Sequence, residues 1–290
     1  MARPARGRRR ASGAERLSDI LAGHGSDEAL LAELYDLEHD AVTEDLGFYR
    51  EWARRTHGAT IDLGCGSGRL FADLLRGGAR KVVGIDGSRA LLDRALARIA
   101  GDERLTAARD DGRIELAVGD VRTVRHPHRF RLAILAGVLA HLEGPEEAVR
   151  ALVAARGLLQ PKGRLIVDTL GPSGLPAHDL PLSIDWERPL GDRRVIRRSR
   201  LLRFEAPEGL RVEYSTLTDV IEPDGTIARL PAGFRLWYPS PTALIGLANE
   251  AELEMEAAFG SHDLDPLDDR SERCIVVLRR TTPGSDLGES

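Results

Sequence analysis

The sequence predicts a doubly wound α/β domain with a seven-stranded sheet, interrupted by an antiparallel β insertion, and three observations point to it. Short apolar runs alternate with helical patterns from about residue 59 to 170. A glycine loop, Gly64-Cys65-Gly66-Ser67-Gly68, stands where the first run meets the first of those helices. Beyond about residue 183 the alternation gives way to long extended segments separated by Pro-Glu-Gly and Pro-Asp-Gly turns. Apolar runs covered on both faces and joined by helices belong to parallel sheets, whereas turn-bounded extended segments belong to meanders.

Residues 1–14 carry a basic arm from Arg3 to Arg10 among Gly, Pro and Ser, which reads as a tail. Residues 15–57 form a helical segment ahead of the sheet. Leu30, Leu31 and Leu34 recur at helical spacing within Asp27 to Leu37, and Leu46, Tyr49, Trp52 and Ala53 do so between Thr43, a candidate cap, and Thr56. Residues 58–182 make the core. Strands are expected at Ala59 to Leu63, Lys81 to Ile85, Arg113 to Val118, Phe130 to Ala136 and Arg164 to Thr169. Helices are expected at Arg69 to Arg76, Arg89 to Ala100 and Pro145 to Leu159. Residues 183–239 are the insertion, with segments Arg193 to Phe204, Leu210 to Ile221 and Thr226 to Trp237. Residues 240–282 return to the sheet through a helix, Pro241 to Leu253, and two strands, and 283–290 read as a second tail.

Of 290 residues, 42% are hydrophobic and 30% charged, which places the chain with globular proteins and against wholesale disorder. No apolar stretch approaches the ~20 residues that a spanning helix needs, and no apolar segment backs the leading arginines. A cytoplasmic protein without a membrane partner is expected. Two cysteines, Cys65 and Cys274, are too few for a disulfide scaffold or a thiolate metal site. A net charge of −5 argues against a surface built for nucleic acid. Lys81 and Lys162 are the only lysines, so the chain's cations are arginines.

The glycine loop lets backbone approach a ligand closely, at a helix start whose N–H groups are unpaired. Arg69 occupies the third glycine position of a dinucleotide fingerprint, and no Gly-Lys-Ser/Thr ends the loop, so neither NAD nor ATP is the expected ligand. Asp86 ends the second strand, followed by Gly87, where a carboxylate can accept both hydrogens of a ribose diol. Asp120 follows the third strand, placed for an adenine amino group, with Val121 beside it offering backbone or apolar contact. Asp62 leads the loop, where it either favours a ligand ammonium or caps backbone N–H groups.

These motifs, in this order, resemble those of the class I S-adenosylmethionine-dependent methyltransferases. Ile61-Asp62-Leu63-Gly64-Cys65-Gly66-Ser67-Gly68 resembles their first motif, and Gly84-Ile85-Asp86 their ribose-binding acid. Gly119-Asp120-Val121 resembles their adenine turn, and Leu159 to Leu165 the turn into their fifth strand. The resemblance implies a Rossmann-like fold, S-adenosylmethionine as cofactor, and cofactor contacts from Asp62, Gly64, Cys65, Gly66, Gly68, Asp86, Gly87, Asp120, Val121 and, through backbone, Ala136. Tyr35-Asp36-x-x-His39 resembles the N-terminal lid of small-molecule members, including amine N-methyltransferases. Phe130-Arg131 departs from the family's Phe-Asp at the fourth strand.

Methyl transfer from a sulfonium is an in-line displacement that needs alignment and a dry site rather than a metal, and no His, Cys or acid spacing suggests one. His141 and Tyr35 are the candidate catalytic helpers, with His39, Arg235, Trp237 and Tyr238 as candidate acceptor contacts; core packing is the competing reading for Tyr35, His39 and the aromatics, and capping or packing for His141. The insertion is expected to form a lid over a small acceptor, methylated on nitrogen or oxygen; the arginines from Arg193 to Arg203 read most simply as a solvated strand face, with one or two available to an anionic group. Two other readings share the cofactor motifs: an enzyme that cyclises the cofactor's own side chain, and a noncatalytic binder. A nucleic-acid methyltransferase is disfavoured by charge and by the absence of the Asn/Asp-Pro-Pro-Tyr/Phe motif.

Overall fold

The computed structural model describes residues 25–281, so the basic arm and tail at 1–14, the first part of the 15–57 segment and the tail at 283–290 lie outside the described residues. Helices α1 (Gly25–His39) and α2 (Leu46–Thr56) precede the sheet. The core then alternates β1 (Ala59–Leu63), α3 (Phe71–Arg76), β2 (Lys81–Asp86), α4 (Arg89–Ala100), α5 (Glu103–Asp110), β3 (Ile114–Val118), β4 (Phe130–Ala136), α6 (Pro145–Leu158) and β5 (Leu159–Leu170). Four antiparallel strands follow: β6 (Leu180–Leu190), β7 (Arg193–Ala206), β8 (Gly209–Ile221) and β9 (Ile227–Pro239). The chain then closes with α7 (Pro241–Glu250), β10 (Leu253–Phe259) and β11 (Arg273–Arg280).

The main sheet has seven strands in the order β10-β11-β5-β4-β1-β2-β3, parallel from β1 to β5, with β11 antiparallel to β5 and β10 antiparallel to β11. The inner strands β1, β2, β4 and β11 bury most of their side chains because helices cover both faces, whereas the edge strands β3 and β10 stay largely open. One face packs Ile61, Leu63, Leu135 and Val167 against α6 and α7, and the other packs Val82, Leu132 and Ile134 against α2 and α3. Strand order reverses between β1 and β4, so their carboxyl ends diverge and leave the crevice in which such folds bind ligands.

Several element bounds differ from the sequence reading. Helix α5 was not expected, because only Leu105 and Ala108 of its eight residues are buried. Its start is set instead by Asp102, whose carboxylate accepts from the backbone N–H groups of Arg104 and Leu105. Helix α2 begins at Leu46 after Asp45, not at a Thr43 cap. The insertion holds four strands rather than three: β6 reads as loop because Pro181 and Pro189 interrupt it and its apolar residues Leu182 and Ile184 stay exposed.

The four-stranded sheet stands over the crevice. One face packs Val195, Val220 and Leu230 against Leu34 of α1, and Leu210, Val212 and Tyr238 against Ala140, in the turn that follows β4. The opposite face of β9 reaches the main core through Trp237, which is fully buried beside Leu244 and Leu247 of α7.

Candidate active site

The crevice is built first by the loop between β1 and α3. Gly64, Gly66 and Gly68 have φ of 81°, 54° and 74°, in the left-handed region that side chains avoid. At Gly64 a Cβ would also lie 2.3 Å from Cγ2 of Val138, so the glycine is needed for the loop to pass the chain that leaves β4. The amides of Gly64 and Cys65 donate to the Ile85 carbonyl at 2.7 and 3.0 Å, tying the loop to β2. Cys65 itself is buried against Gly84, and burial holds its thiol far above the usual range, which makes it an unreactive filler.

Asp86, at the end of β2, accepts from the backbone N–H of Gly66 and of Ser88, each at 2.8 Å. One carboxylate therefore fixes both the loop and the turn containing Gly87. Asp62 presents the opposite situation. It is fully buried, and its Oδ1 has no hydrogen-bond partner. Burial, and then the negative charge of Asp86, push its pKa up to about 7 against the opposing charge of Arg69. The capping reading of Asp62 thus receives no support at Oδ1, and a buried carboxyl without a donor suits a cationic ligand group.

At the far end of the crevice Asp120 is exposed and forked by Arg122, whose Nε and Nη2 donate at 2.9 and 2.6 Å to its two oxygens. Val121 points into the core, which leaves its backbone rather than its side chain for a ligand. Ala136 ends β4 in register with Asp168.

Over the loop lies α1. The Tyr35 hydroxyl approaches Gly66 so closely that a Cβ there would lie 3.1 Å from it. Burial raises Tyr35 to about 12, so its hydroxyl keeps its proton near pH 7. His39 stacks on Tyr35 with ring centroids 4.0 Å apart, and its Nδ1 lies 2.9 Å from the Tyr35 carbonyl oxygen. His141 ends the short turn after β4. Its ring is open to solvent on one side, yet protein crowds it enough that desolvation lowers its pKa, so the imidazole is neutral near pH 7.

The acceptor contacts expected on β9 need correction. Neighbouring strand residues point to opposite faces, and Arg235 and Trp237 face away from the crevice, Arg235 into solvent and Trp237 into the core. Tyr238 does lie on the crevice side, packed near Ala140. The residue that sequence reasoning missed is Phe234, which is exposed, edge-on to His141 at 6.2 Å and stacked near Tyr214 at 6.4 Å. The alternation Phe234, Leu236, Tyr238 held that signal. Of the β7 arginines, Arg197 turns inward and donates to the Tyr214 hydroxyl at 2.9 Å, paired with Glu38 and 3.7 Å from Asp185. Arg193, Arg194 and Arg198 pair with Glu33, Glu187 and Asp219.

A second cluster went unseen in the sequence. Asp168, fully buried at the end of β5, accepts from Tyr49 at 2.6 Å and from Arg273 at 2.8 and 3.0 Å, with His262 Nε2 at 2.7 Å. Burial alone would raise its pKa, but the His262 hydrogen bond and the Arg273 charge outweigh this and hold it below the usual carboxylate range. The cluster ties α2, β5 and β11 together at the carboxyl end of β5. Asp168→Ala would strand the buried Tyr49 phenol and His262 ring and leave Arg273, a third exposed, without its carboxylate, and is expected to cost about 3 to 5 kcal/mol in urea unfolding. A loss below about 1 kcal/mol would mean that the cluster is not a structural hub.

The loop with its clearance, the acid that ends β2 and the donor-free Asp62 match the needs of a nucleoside carrying an ammonium group, and so fit S-adenosylmethionine. Residues 61–163 match the family model of a methyltransferase domain. No curated protein matches the chain. Among solved structures, the CcbJ methyltransferase of Streptomyces caelestis aligns at TM-score 0.64 and 21% identity over 84% of this chain and 95% of its own. The sugar N-methyltransferase KedS8 from a Streptoalloteichus species aligns at 0.61 and 16% over 97% and 98%. The S-adenosylmethionine-bound amino pentose methyltransferase CalS10 of Micromonospora echinaspora aligns at 0.57 and 20% over 96% and 100%. At these identities the likeness speaks to the fold.

Proposed function

We propose, from the premise that this chain carries a class I S-adenosylmethionine-dependent methyltransferase domain, that it methylates a nitrogen of a small polar acceptor bound between His141 and the four-stranded sheet. The observation that carries this reading is the exposed Phe234 ring edge-on to His141 and stacked near Tyr214, whose hydroxyl is held by Arg197. An exposed aromatic face flanked by hydrogen-bonding groups suits a small ring with polar substituents. The names of KedS8 and CalS10, a sugar and an amino pentose methyltransferase, agree with it. An anionic acceptor is not favoured, since the two arginines of β7 named above that share the face of Val195, Arg193 and Arg197, already pair with Glu33 and with Glu38 and Asp185.

In this reading Asp86 holds the ribose, Asp62 faces the ammonium and the backbone of Gly64, Gly66 and Ala136 lines the crevice between them. The cofactor supplies an electrophilic methyl group, whose carbon–sulfur bond breaks with its electron pair going to sulfur as the acceptor's lone pair bonds to carbon. The chain's own contribution is alignment, exclusion of water and removal of one proton. His141, neutral near pH 7, is positioned to take the proton that the acceptor amine must lose. Tyr35, protonated throughout, donates a hydrogen bond over Gly66. Together α1 and β6 to β9 cover the acceptor.

The decisive assay mixes the protein with S-adenosylmethionine labelled in the methyl group and a panel of small amines, aminosugars and hydroxyl compounds. Label in an amine product supports the proposal. Cofactor breakdown with the acceptor omitted would instead mark internal cyclisation, and binding without turnover on any compound would mark a noncatalytic binder. Phe234→Ala should lower kcat/KM for the acceptor by about tenfold or more while leaving S-adenosylhomocysteine affinity unchanged. Equal losses in both would place Phe234 in the cofactor site.

Excising residues 183–239 is not a fair test of the cover, because it removes Trp237 from the main core. Point variants on the crevice face of β8 and β9 are.

A further inference from the structure

Helix α1 is fastened to its two neighbours by different kinds of contact. Toward the four-stranded sheet it packs apolar side chains, Leu34 with Leu30, Leu31 and Leu37 against Val195, Val220 and Leu230, flanked by the ion pairs Glu33–Arg193 and Glu38–Arg197. Toward α4 it presents charges. Asp36, buried, accepts from Arg94 Nε at 2.7 Å and from Arg98 Nη2 at 3.4 Å, and Asp40 accepts from the same Arg98 nitrogen at 2.6 Å. Asp36 and Asp40 are four residues apart on α1, and Arg94 and Arg98 four apart on α4, so the two helices meet along matched rows.

Arg98 does one thing more. Its Nε donates to the Ser67 carbonyl at 3.0 Å, and its Nη2 reaches the Ser67 hydroxyl at 3.3 Å. A single guanidinium thus grips the glycine loop through Nε and Nη2 and the acids of α1 through the same Nη2. On that same α1 sits Tyr35, with its hydroxyl over Gly66, one residue before Ser67. The seam is also the more open side of the α1 contact to water and salt, because Asp40 is about half exposed and Arg94 somewhat less, whereas the sheet side centres on the buried Leu34, Val195, Val220 and Leu230.

The geometry points to Arg98 as a positioning residue that sets the glycine loop and Tyr35 together, so that α1 closes over a bound cofactor and opens at the Asp36/Asp40–Arg94/Arg98 seam, moving with the sheet rather than away from it. The inference rests on the crevice being the cofactor site. Its consequence is that cofactor release is gated by an ionic seam and depends on salt, although no seam residue touches the cofactor.

The test uses the full chain and S-adenosylhomocysteine, with off-rates from stopped-flow displacement at 50 and 500 mM NaCl (about 14 against 4 Å of screening length) and hydrogen exchange over residues 30–40. The wild-type off-rate should rise with salt. Arg98→Ala should raise it by about tenfold at low salt, within the usual range of coupling between sites, and lose most of the salt dependence. It should also abolish the protection of residues 30–40 that S-adenosylhomocysteine confers on the wild type. Asp36→Asn should behave alike, and the double variant should be no worse than Arg98→Ala alone, as expected for partners in one network. Should Arg98→Ala not fold, Arg98→Lys keeps the charge but cannot fork to both sides, and should release the ligand faster with a weakened salt response.

A merely structural Arg98 would lower the melting temperature and leave the off-rate, its salt dependence and the protection pattern as in the wild type, and that result overturns the proposal. Additive effects of Arg98→Ala and Asp36→Asn overturn it as well. Asp86→Ala serves as the control. If that variant binds like the wild type, the crevice reading falls and the gate falls with it; if it weakens binding while the Arg98 variants match the wild type, the gate alone is wrong.

Discussion

Asp86→Ala is expected to weaken S-adenosylhomocysteine binding by about a hundredfold. The carboxylate would lose two charge-assisted hydrogen bonds to a ribose diol, each worth about 1.5 to 3 kcal/mol before water compensates, and about 3 kcal/mol net corresponds to that factor. The loss has a second source within the protein. The same carboxylate accepts from the amides of Gly66 and Ser88, so alanine also frees the glycine loop from the end of β2. Calorimetry on the folded variant checks this, and an affinity within threefold of the wild type would remove Asp86 from the site. Asp86→Asn separates the sources in part, since its amide oxygen still accepts from one backbone N–H while the charge is gone.

Binding is also expected to fade in mild acid because of Asp62. With its pKa raised to about 7 in the free protein, mainly by burial, Asp62 is largely protonated at pH 6 and must lose that proton to meet an ammonium group. Affinity for S-adenosylhomocysteine should therefore fall by up to tenfold per unit as pH drops below about 7, and level off above it. Folding stability of the ligand-free protein runs the other way. The folded state holds a proton that the unfolded state releases above 3.8, so this group makes stability decline as pH rises from about 4 to 7 and contributes no further change beyond. Asp62→Asn should flatten both profiles, raise ligand-free stability at pH 8 and bind the ligand more weakly there. His39 and His141, both shifted below their usual value, titrate lower, and the Asn variant isolates their share. A wild-type affinity flat from pH 5.5 to 7.5 would show that Asp62 meets no cation.

What the sequence made legible follows from local rules. The parallel strands are continuous apolar runs, and the glycine loop with Asp62 and Asp86 lies within thirty residues of chain, where spacing alone places each group at the carboxyl end of a strand. Features held by long-range contact were not legible. Helix α5 buries too little to announce itself, and β6 is built from prolines and exposed apolar residues. The arginines of β7 form one run in sequence, yet only the structure separates inward Arg197 from its neighbours. Trp237 and Phe234 differ by three residues and by the whole thickness of a sheet. For Asp168, the four-membered cluster spans elements more than a hundred residues apart, and Arg98 shows only a matched i, i+4 spacing whose partner helix the sequence does not name.

The place of β11 carries a consequence for how the molecule is made. This strand lies inside the sheet, between β5 and β10, and it is the last strand among the described residues. Until it arrives, β5 is an open edge with Asp168 lacking Arg273, which stands 105 residues further along. Closing so long a loop is slow compared with the local pairing of β6 to β9, whose strands follow one another directly. During synthesis the meander should therefore be assembled while the crevice it will cover still lacks one wall. Substitutions that weaken the β5–β11 pairing, such as a proline at Val276, would then be felt first as poor yield from the ribosome, before any change in the finished enzyme can be measured.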